Sequence, residues 1–500
     1  MTAIGLMLVI PLAAAVAMLV LGGDSRASRA VALLSPVAQL CAAVCLLART
    51  MGSGWVVLPA GGWAAPHGIA LAVDPLAALM LVVAGVTVLA GTAYSLAETG
   101  VGMGHPLRLP LMQFLSAGIN LSFCTADLFN LFVAFEVLLI ASYGLLTLET
   151  GGRAARHAFP YVALNAFGSV LFFCVAGLAY ARFGSLGFAD IARRAGEMPG
   201  DPGVAVIAVL LACVFGLKAG LFPLYYWLPR SYPILPVPLA AVFAGLLTKV
   251  GVYALIRLFA TVMPHDLAGI HAAIAWVSGL TMLLGVIGAI SRNFVRGILS
   301  FHILSQVAFM TLALGFFTPL SIAAAIFYIA HHIVVKSSLF LVGGVAARLN
   351  GSDDLKVMGN LWVAAPWLGV IFLAQALSLA GLPPLSGFWG KYAIAVVGIG
   401  KGEYLLVGAS LLAGALTLFS MLKIWLAAFW RMEGAVVTGA GEGRTRALTW
   451  VCAAMMSLSV GIGLFAEPVM RVAQRAADVA LDPGGLAVAI DAAGGKGAAR

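Results

Sequence analysis

The sequence predicts an all-α polytopic membrane protein with about fourteen transmembrane helices. Hydrophobic residues fill 62% of the 500 positions and charged residues only 9%, more apolar surface than a soluble domain can bury. The apolar residues fall in continuous runs rather than alternating, which excludes a membrane β-barrel. The runs also recur at roughly the 20-residue length a helix needs to cross hydrocarbon. The spans lie near 3–22, 29–48, 75–97, 107–126, 128–149, 158–182, 204–228, 236–261, 268–290, 295–316, 319–347, 361–398, 404–430 and 446–470. The first has no basic n-region and reads as a membrane helix rather than a cleaved signal. Residues 49–74 form a longer loop with room for a hairpin. The run at 361–398 is too long for one straight crossing and contains Gly381, Pro383 and Pro384, so it reads as a broken helix. Residues 471–500, rich in Gly and Ala, read as a loosely ordered tail.

Charge sets orientation, because cytoplasmic loops carry the excess of Lys and Arg. With the N-terminus outside, thirteen basic residues fall in inward loops against five in outward ones, so both termini are expected outside. The net charge of +9 fits basic loops flanking a membrane, and no basic cluster points to nucleic acid. None of the six cysteines forms a CxxC pair, so neither a disulfide framework nor a metal site is indicated. No GxGxxG follows a strand and no haem motif is present, so no cofactor is expected.

Function is expected where ionisable groups sit deep in the spans. A charge at mid-bilayer costs about 2.5–3.5 kcal/mol on insertion scales and marks an ion pathway by default. Lys218 and Lys249 lie near the middle of successive spans, the first interrupted by Gly220 and Pro223. Glu136 lies far from any loop, and a Glu136–Lys218 pair would make both charges tolerable. His332 and Lys336 are four residues apart on one helix face, while His331 points about 100° away. A lone buried histidine is usually a satisfied core residue, but one beside a lysine suits a proton relay. His302 and Gln306 have the same spacing and extend the lane. Lys391 follows the second break and stands at its far end. Arg257 and Lys423 lie within about two turns of a helix end and are expected to snorkel. The breaks themselves repeat: Ala219-Gly220-Leu221-Phe222-Pro223-Leu224 matches Ala380-Gly381-Leu382-Pro383-Pro384-Leu385 at an offset of 161 residues. Interrupted helices in corresponding positions of two halves point to a transport site.

Together these residues resemble the antiporter-like family shared by Mrp-type cation/proton antiporters and the proton-pumping membrane arm of respiratory complex I. The likeness covers most of the chain and is strongest from Phe129 to Lys391. Its landmarks are FEVLLIASY with Glu136, GLKAGLFPLYYWLP with Lys218, TKVGVYALIR with Lys249, HILSQ, AHHIVVKSSLF, and LAGLPPLSGFWGK with Lys391. The resemblance implies a three-helix segment over 1–106, two inverted five-helix repeats over 107–261 and 268–430, and a last helix at 446–470. It also implies broken seventh and twelfth helices, Glu136 and Lys218 as an essential pair, and Lys249, His332, Lys336 and Lys391 continuing the path. The function implied is exchange of protons for Na⁺ or K⁺ in a bacterial cell membrane, by a non-enzymatic subunit assembled with other subunits. A proton-pumping subunit of an NADH–quinone oxidoreductase or membrane-bound hydrogenase is the alternative. Lys391 departs from the complex I subunit of the M type, which has glutamate there, and Gln306 stands where some relatives have histidine.

Overall fold

The computed structural model describes residues 2–60, 68–148, 152–265, 267, 269–434, 442–482 and 484–497. The fold is a bundle of helices. It opens with α1 (Ala3–Val20) and α2 (Arg26–Ser53), then a hairpin of β1 (Val56–Pro59) and β2 (Ala70–Val73). The strands pair antiparallel with Val56 opposite Val73, inside the loop expected to hold a hairpin; its tip, 61–67, lies outside the described residues. There follow α3 (Pro75–Glu98), α4 (Arg108–Cys124), α5 (Leu128–Leu148), α6 (Gly152–Phe183), the short amphipathic α7 (Phe188–Gly196), α8 (Pro202–Ala219), α9 (Trp227–Ser231) and α10 (Val237–Ile256). The second half holds α11 (Ile270–Ile290), α12 (Val295–Phe316), α13 (Pro319–Asn350), α14 (Leu361–Ala364), α15 (Pro366–Ala380), α16 (Ser386–Gly400) and α17 (Tyr404–Ile424). The chain closes with α18 (Glu442–Leu464), α19 (Ala466–Ala480) and α20 (Gly485–Gly497).

Twelve helices among the described residues are long and apolar enough to cross a membrane. Two expected spans are not among them. The helix α4 has 17 residues, and the run at 361–398 is divided into α15 and α16 of 15 residues each. A helix apolar on all sides must be buried on all sides, and α10, α12 and α13 form the enclosed centre of the bundle. The outer helices, α6, α11, α17 and α18 among them, carry exposed large apolar residues such as Phe167, Phe173, Trp276, Ile287, Leu411 and Trp450.

Both breaks are built alike. Gly220 and Gly381 adopt the left-handed conformation (φ +80° and +93°) that a side chain would disfavour. Gly220 N–H bonds Leu217 O and Leu221 N–H bonds Gly216 O; Gly381 N–H bonds Ser378 O and Leu382 N–H bonds Leu377 O. Each is a Schellman ending, and the prolines that follow, Pro223 and the Pro383-Pro384 pair, prevent the helix from resuming at once. The helices α10 and α17 each finish in a π-turn, Arg257–Val262 and Trp425–Trp430.

Two expectations are corrected. The last span does not run from 446 to 470: α18 stops at Leu464, and the supposed tail is helical through α19 and α20, residues 498–500 lying outside the described part. Ala473, Ala476, Ala477 and Ala480 form a buried stripe on α19 that packs against α13 and α3. Alanine favours helix and lets backbones approach closely, so the composition that reads as looseness is instead a packing surface. Arg257 does not snorkel. It is 2% exposed and gives Nη1 and Nη2 to both oxygens of fully buried Asp74, at 2.9 and 2.5 Å, while Tyr253 OH accepts from its Nε. Asp74 also caps α3 through Ala77 N–H at 2.8 Å, so one carboxylate pins the ends of α3 and α10 together.

Removing one partner of a buried ion pair strands the other. Asp74→Ala is therefore expected to destabilise the protein by about 3–5 kcal/mol, read as a lowered melting temperature in detergent. Arg471→Ala, on an exposed i,i+4 pair with Glu467, should leave that temperature unchanged.

Candidate functional site

Lys218 lies in the last turn of α8, two residues before the first break, and is 3% exposed. Its Nζ donates to Asn165 O at 2.9 Å and Ser169 Oγ at 3.1 Å, both on α6, and stands 5.8 Å from the centroid of the Phe135 ring. The groups freed by the break are met from outside the helix: Phe222 N–H donates to Thr281 Oγ1 at 2.9 Å. Trp227 Nε1 donates to Leu217 O at 3.1 Å.

Glu136, next to Phe135 on α5, acts on Lys218 through space, yet the two form no ion pair among the described residues. Its Oε1 is buried without a hydrogen-bond partner. The expected direct pair is replaced by a separated one, because a main-chain carbonyl and a hydroxyl already satisfy the ammonium.

The next basic group, Lys249, sits on α10. Its Nζ donates to Ala244 O at 2.5 Å on its own helix. Gly251, two residues on, lets α10 touch the end of α8: a Cβ there would stand 2.7 Å from Ala219 N and 2.9 Å from Lys218 C. Lys218 and Lys249 therefore flank one backbone-to-backbone contact. Beyond Lys249, His332 and Lys336 lie fully buried on α13, and neither His332 ring nitrogen nor Lys336 Nζ has a hydrogen-bond partner among the described residues. Charge links these groups: Lys249 acts on both His332 and Lys336, and Lys336 and Lys391 both act on His302.

On α12, His302 Nε2 meets Ser420 Oγ of α17 at 2.6 Å. Gln306 accepts from Tyr328 OH and donates Nε2 to Thr417 Oγ1 at 3.3 Å. His331 diverges from His332, placing Nδ1 2.7 Å from Ser386 Oγ on α16. At the second break Lys391 donates to Leu379 O and Ala380 O, each at 2.9 Å, carbonyls that α15 can no longer use. It borders a cavity of about 340 Å³ lined also by Phe309, Gly381, Tyr392 and Ser410. Lys423 ends outside the lane, on Ile290 O and Arg292 O at the close of α11.

Sequence reading passed over the polar groups that surround these side chains: Asn165 and Ser169 at Lys218, Ser420 at His302, Tyr328 and Thr417 at Gln306, Ser386 at His331, and Gln375 on α15. The last is buried with both amide atoms unpartnered among the described residues. The available signal was a polar residue within an apolar span, a weak one when serine and threonine so often bond back to their own helix.

A row of buried bases between two broken helices in a many-helix bundle defines an antiporter-like membrane protein. A model of the family described as NADH:quinone oxidoreductase/Mrp antiporter, TM, matches residues 125–417, and the chain belongs to that family. It is 41% identical over 447 residues to the D-type subunit of the Na(+)/H(+) antiporter of Alkalihalophilus pseudofirmus, covering 89% of this chain and 90% of that one. To the protein of the same name from Bacillus subtilis it is 38% identical over 439 residues, covering 88% and 89%. Among solved structures it matches a chain of the Mrp complex from Dietzia sp. DQ12-45-1b with a TM-score of 0.90 at 28% identity, over 98% of this chain and 99% of that one. A chain of respiratory complex I from Thermus thermophilus shares the fold at a TM-score of 0.75 and 24% identity, over 93% and 98%.

The contact at Gly251 admits no side chain. Gly251→Ala is expected to cost about 1–3 kcal/mol through overpacking, read as a lowered melting temperature. Gly177→Ala on α6, where a Cβ meets nothing within 4 Å, should not lower it, since alanine favours helix over glycine.

Proposed function

We propose that this chain is the proton-translocating subunit of a multisubunit Na⁺/proton antiporter, moving protons along Glu136, Lys218, Lys249, His332, Lys336, His302 and Lys391. The observation that carries the reading is the state of α13. His332 and Lys336 are wholly enclosed, have no hydrogen-bond partner among the described residues, and lie within electrostatic reach of bases on both sides. Buried polar groups in a settled core are hydrogen-bonded. Groups left open along a line are suited to exchanging protons with water and with one another. The two relatives from Na(+)/H(+) antiporters favour Na⁺ as the counter-ion, and the likeness to the Mrp complex favours assembly with partner subunits.

The same reading adds α4 and the α15–α16 pair to the twelve long helices, as the fourth and twelfth of fourteen crossings, with repeats over 107–261 and 268–430 and both termini outside. The matching Schellman endings at Gly220 and Gly381 and the π-turns closing α10 and α17 support it. In operation, neutralising Glu136 removes a negative charge acting on Lys218. Lys218, no longer held by that charge, can pass its proton to a neutral Lys249, and the altered field passes through Lys336 to His302 and Lys391. This chain supplies the charges and their positions, and coupling to cation flow is shared with partner subunits.

The test is exchange measured in everted vesicles with a pH-sensitive dye, using the assembled complex. Lys218→Ala, Glu136→Ala and Lys336→Ala are each expected to lower it by about a hundredfold or more, the scale of losing a positioned proton-transfer group, with assembly intact. Full Na⁺-dependent exchange in any of the three would remove that residue from the path. Partner subunits bearing quinone or iron–sulfur sites would instead assign the chain to a redox-driven pump.

A further inference from the structure

At the second break a set of hydroxyls leads away from the lysines. Ser386 opens α16 and is fully buried. Its Oγ lies 2.7 Å from His331 Nδ1, 3.0 Å from Ser378 Oγ at the end of α15 and 3.5 Å from Ser459 Oγ on α18. Four helices thus converge on one oxygen. Ser378 and Ser459 are buried as well, and Ser459 stands five residues before the end of α18 at Leu464. One turn before Ser378 on the same face of α15 is Gln375, whose amide has no partner among the described residues. The packing is close: a Cβ at Gly463 on α18 would stand 2.6 Å from Ser386 N, and one at Gly387 would stand 3.0 Å from His331 Nε2.

Buried hydroxyls in this bundle usually bond back to their own helix, as Ser278, Thr281, Ser300 and Thr417 do. The cluster at the break is turned toward a histidine and toward other hydroxyls. That difference matters chemically. A hydroxyl donates and accepts at once, and a neutral imidazole has one nitrogen of each kind, whereas an ammonium only donates. Lys391, committed to two carbonyls, can release a proton but cannot accept one while charged. His331 and Ser386 can do both.

We propose that Ser386 is a relay residue joining His331 to Ser459, giving the buried lane a second branch that leads toward the corner between α18 and α19. A proton delivered by water to His331 Nε2, which has no hydrogen-bond partner among the described residues, releases the proton on Nδ1 to the Ser386 oxygen. Ser386 passes its own proton to Ser459, and Ser459 gives its proton to water at the corner between α18 and α19. Each group gains one proton and loses one, so no charge stays on the serines. The charged or titratable groups on the helices packed at the cluster are Tyr328, His331, His332, Lys336 and Arg348 of α13 and Lys391 and Tyr392 of α16, of which Lys391 acts on His331; α15 carries none, and α18 none beyond Arg446 except the Cys452 thiol. The inference rests on the lane proposed above.

The test uses the assembled complex in everted vesicles, with Lys336→Ala as the reference for the lane. Ser386→Ala is expected to slow exchange about tenfold, the scale of one lost hydrogen bond, and to shift its pH profile, because the remaining route runs through lysines alone. Ser386→Thr, which keeps the hydroxyl, should recover most of the rate. Ser459→Ala should slow exchange similarly, and the Ser386→Ala/Ser459→Ala pair should be no slower than Ser386→Ala, since both lie on one branch. An inactive Lys336→Ala beside a Ser386→Ala with full rate and unshifted profile would overturn the branch and leave the lane standing. If Ser386→Ala fails to assemble, an unchanged rate in Ser459→Ala overturns the branch by itself. Full exchange in Lys336→Ala would overturn lane and branch together.

Discussion

An ammonium held inside a bilayer must be given oxygen atoms, and a continuous helix has few to spare. This requirement organises the molecule. Lys218 takes a main-chain carbonyl from α6, Lys249 one from its own helix, and Lys391 the two that α15 frees where it stops. Lys423 does the same at the end of α11. Lys336 differs, because α13 is unbroken where it sits and no hydrogen-bond partner reaches its Nζ among the described residues. The breaks are thus more than hinges. The second of them supplies the two carbonyls that the lysine beside it takes, which lowers the cost of burying that charge.

The enclosed column of α10, α12 and α13 shows a second side of the same constraint. Close helix contact is obtained with glycine, at Gly251 against α8 and at Gly285 of α11, where a Cβ would stand 2.7 Å from Ser305 N. Small residues bring backbones together, which sets the distance between charged side chains more rigidly than long side chains packing on each other would. Between α10 and α13 the glycine is Gly245, where a Cβ would stand 3.5 Å from Ile333 O, and across that contact Lys249 acts on Lys336.

Much of this was legible in the residues. Apolar runs located the membrane helices, and Gly-Pro interruptions located both breaks. Isolated charges marked the buried bases, because each is unusual in its surroundings. The partners were not legible: Asn165 O and Ala244 O are main-chain atoms with no sequence signature, and Ser386 looks like any serine until α18 is folded against it. Arg257 was misjudged because nearness to a helix end says nothing of the Asp74 carboxylate, 183 residues away in the chain. The helix α19 was misjudged because alanine content alone does not reveal a stripe until its register against α13 is known.

That stripe has a practical bearing on how the molecule can be handled. It rests against α13, the helix that carries His331, His332 and Lys336, so the second half of α19 is a strut under the helix of buried bases. Purification handles and reporter fusions belong beyond Gly497, and shortening the chain to its final membrane crossing would take away the brace that holds those three bases in line.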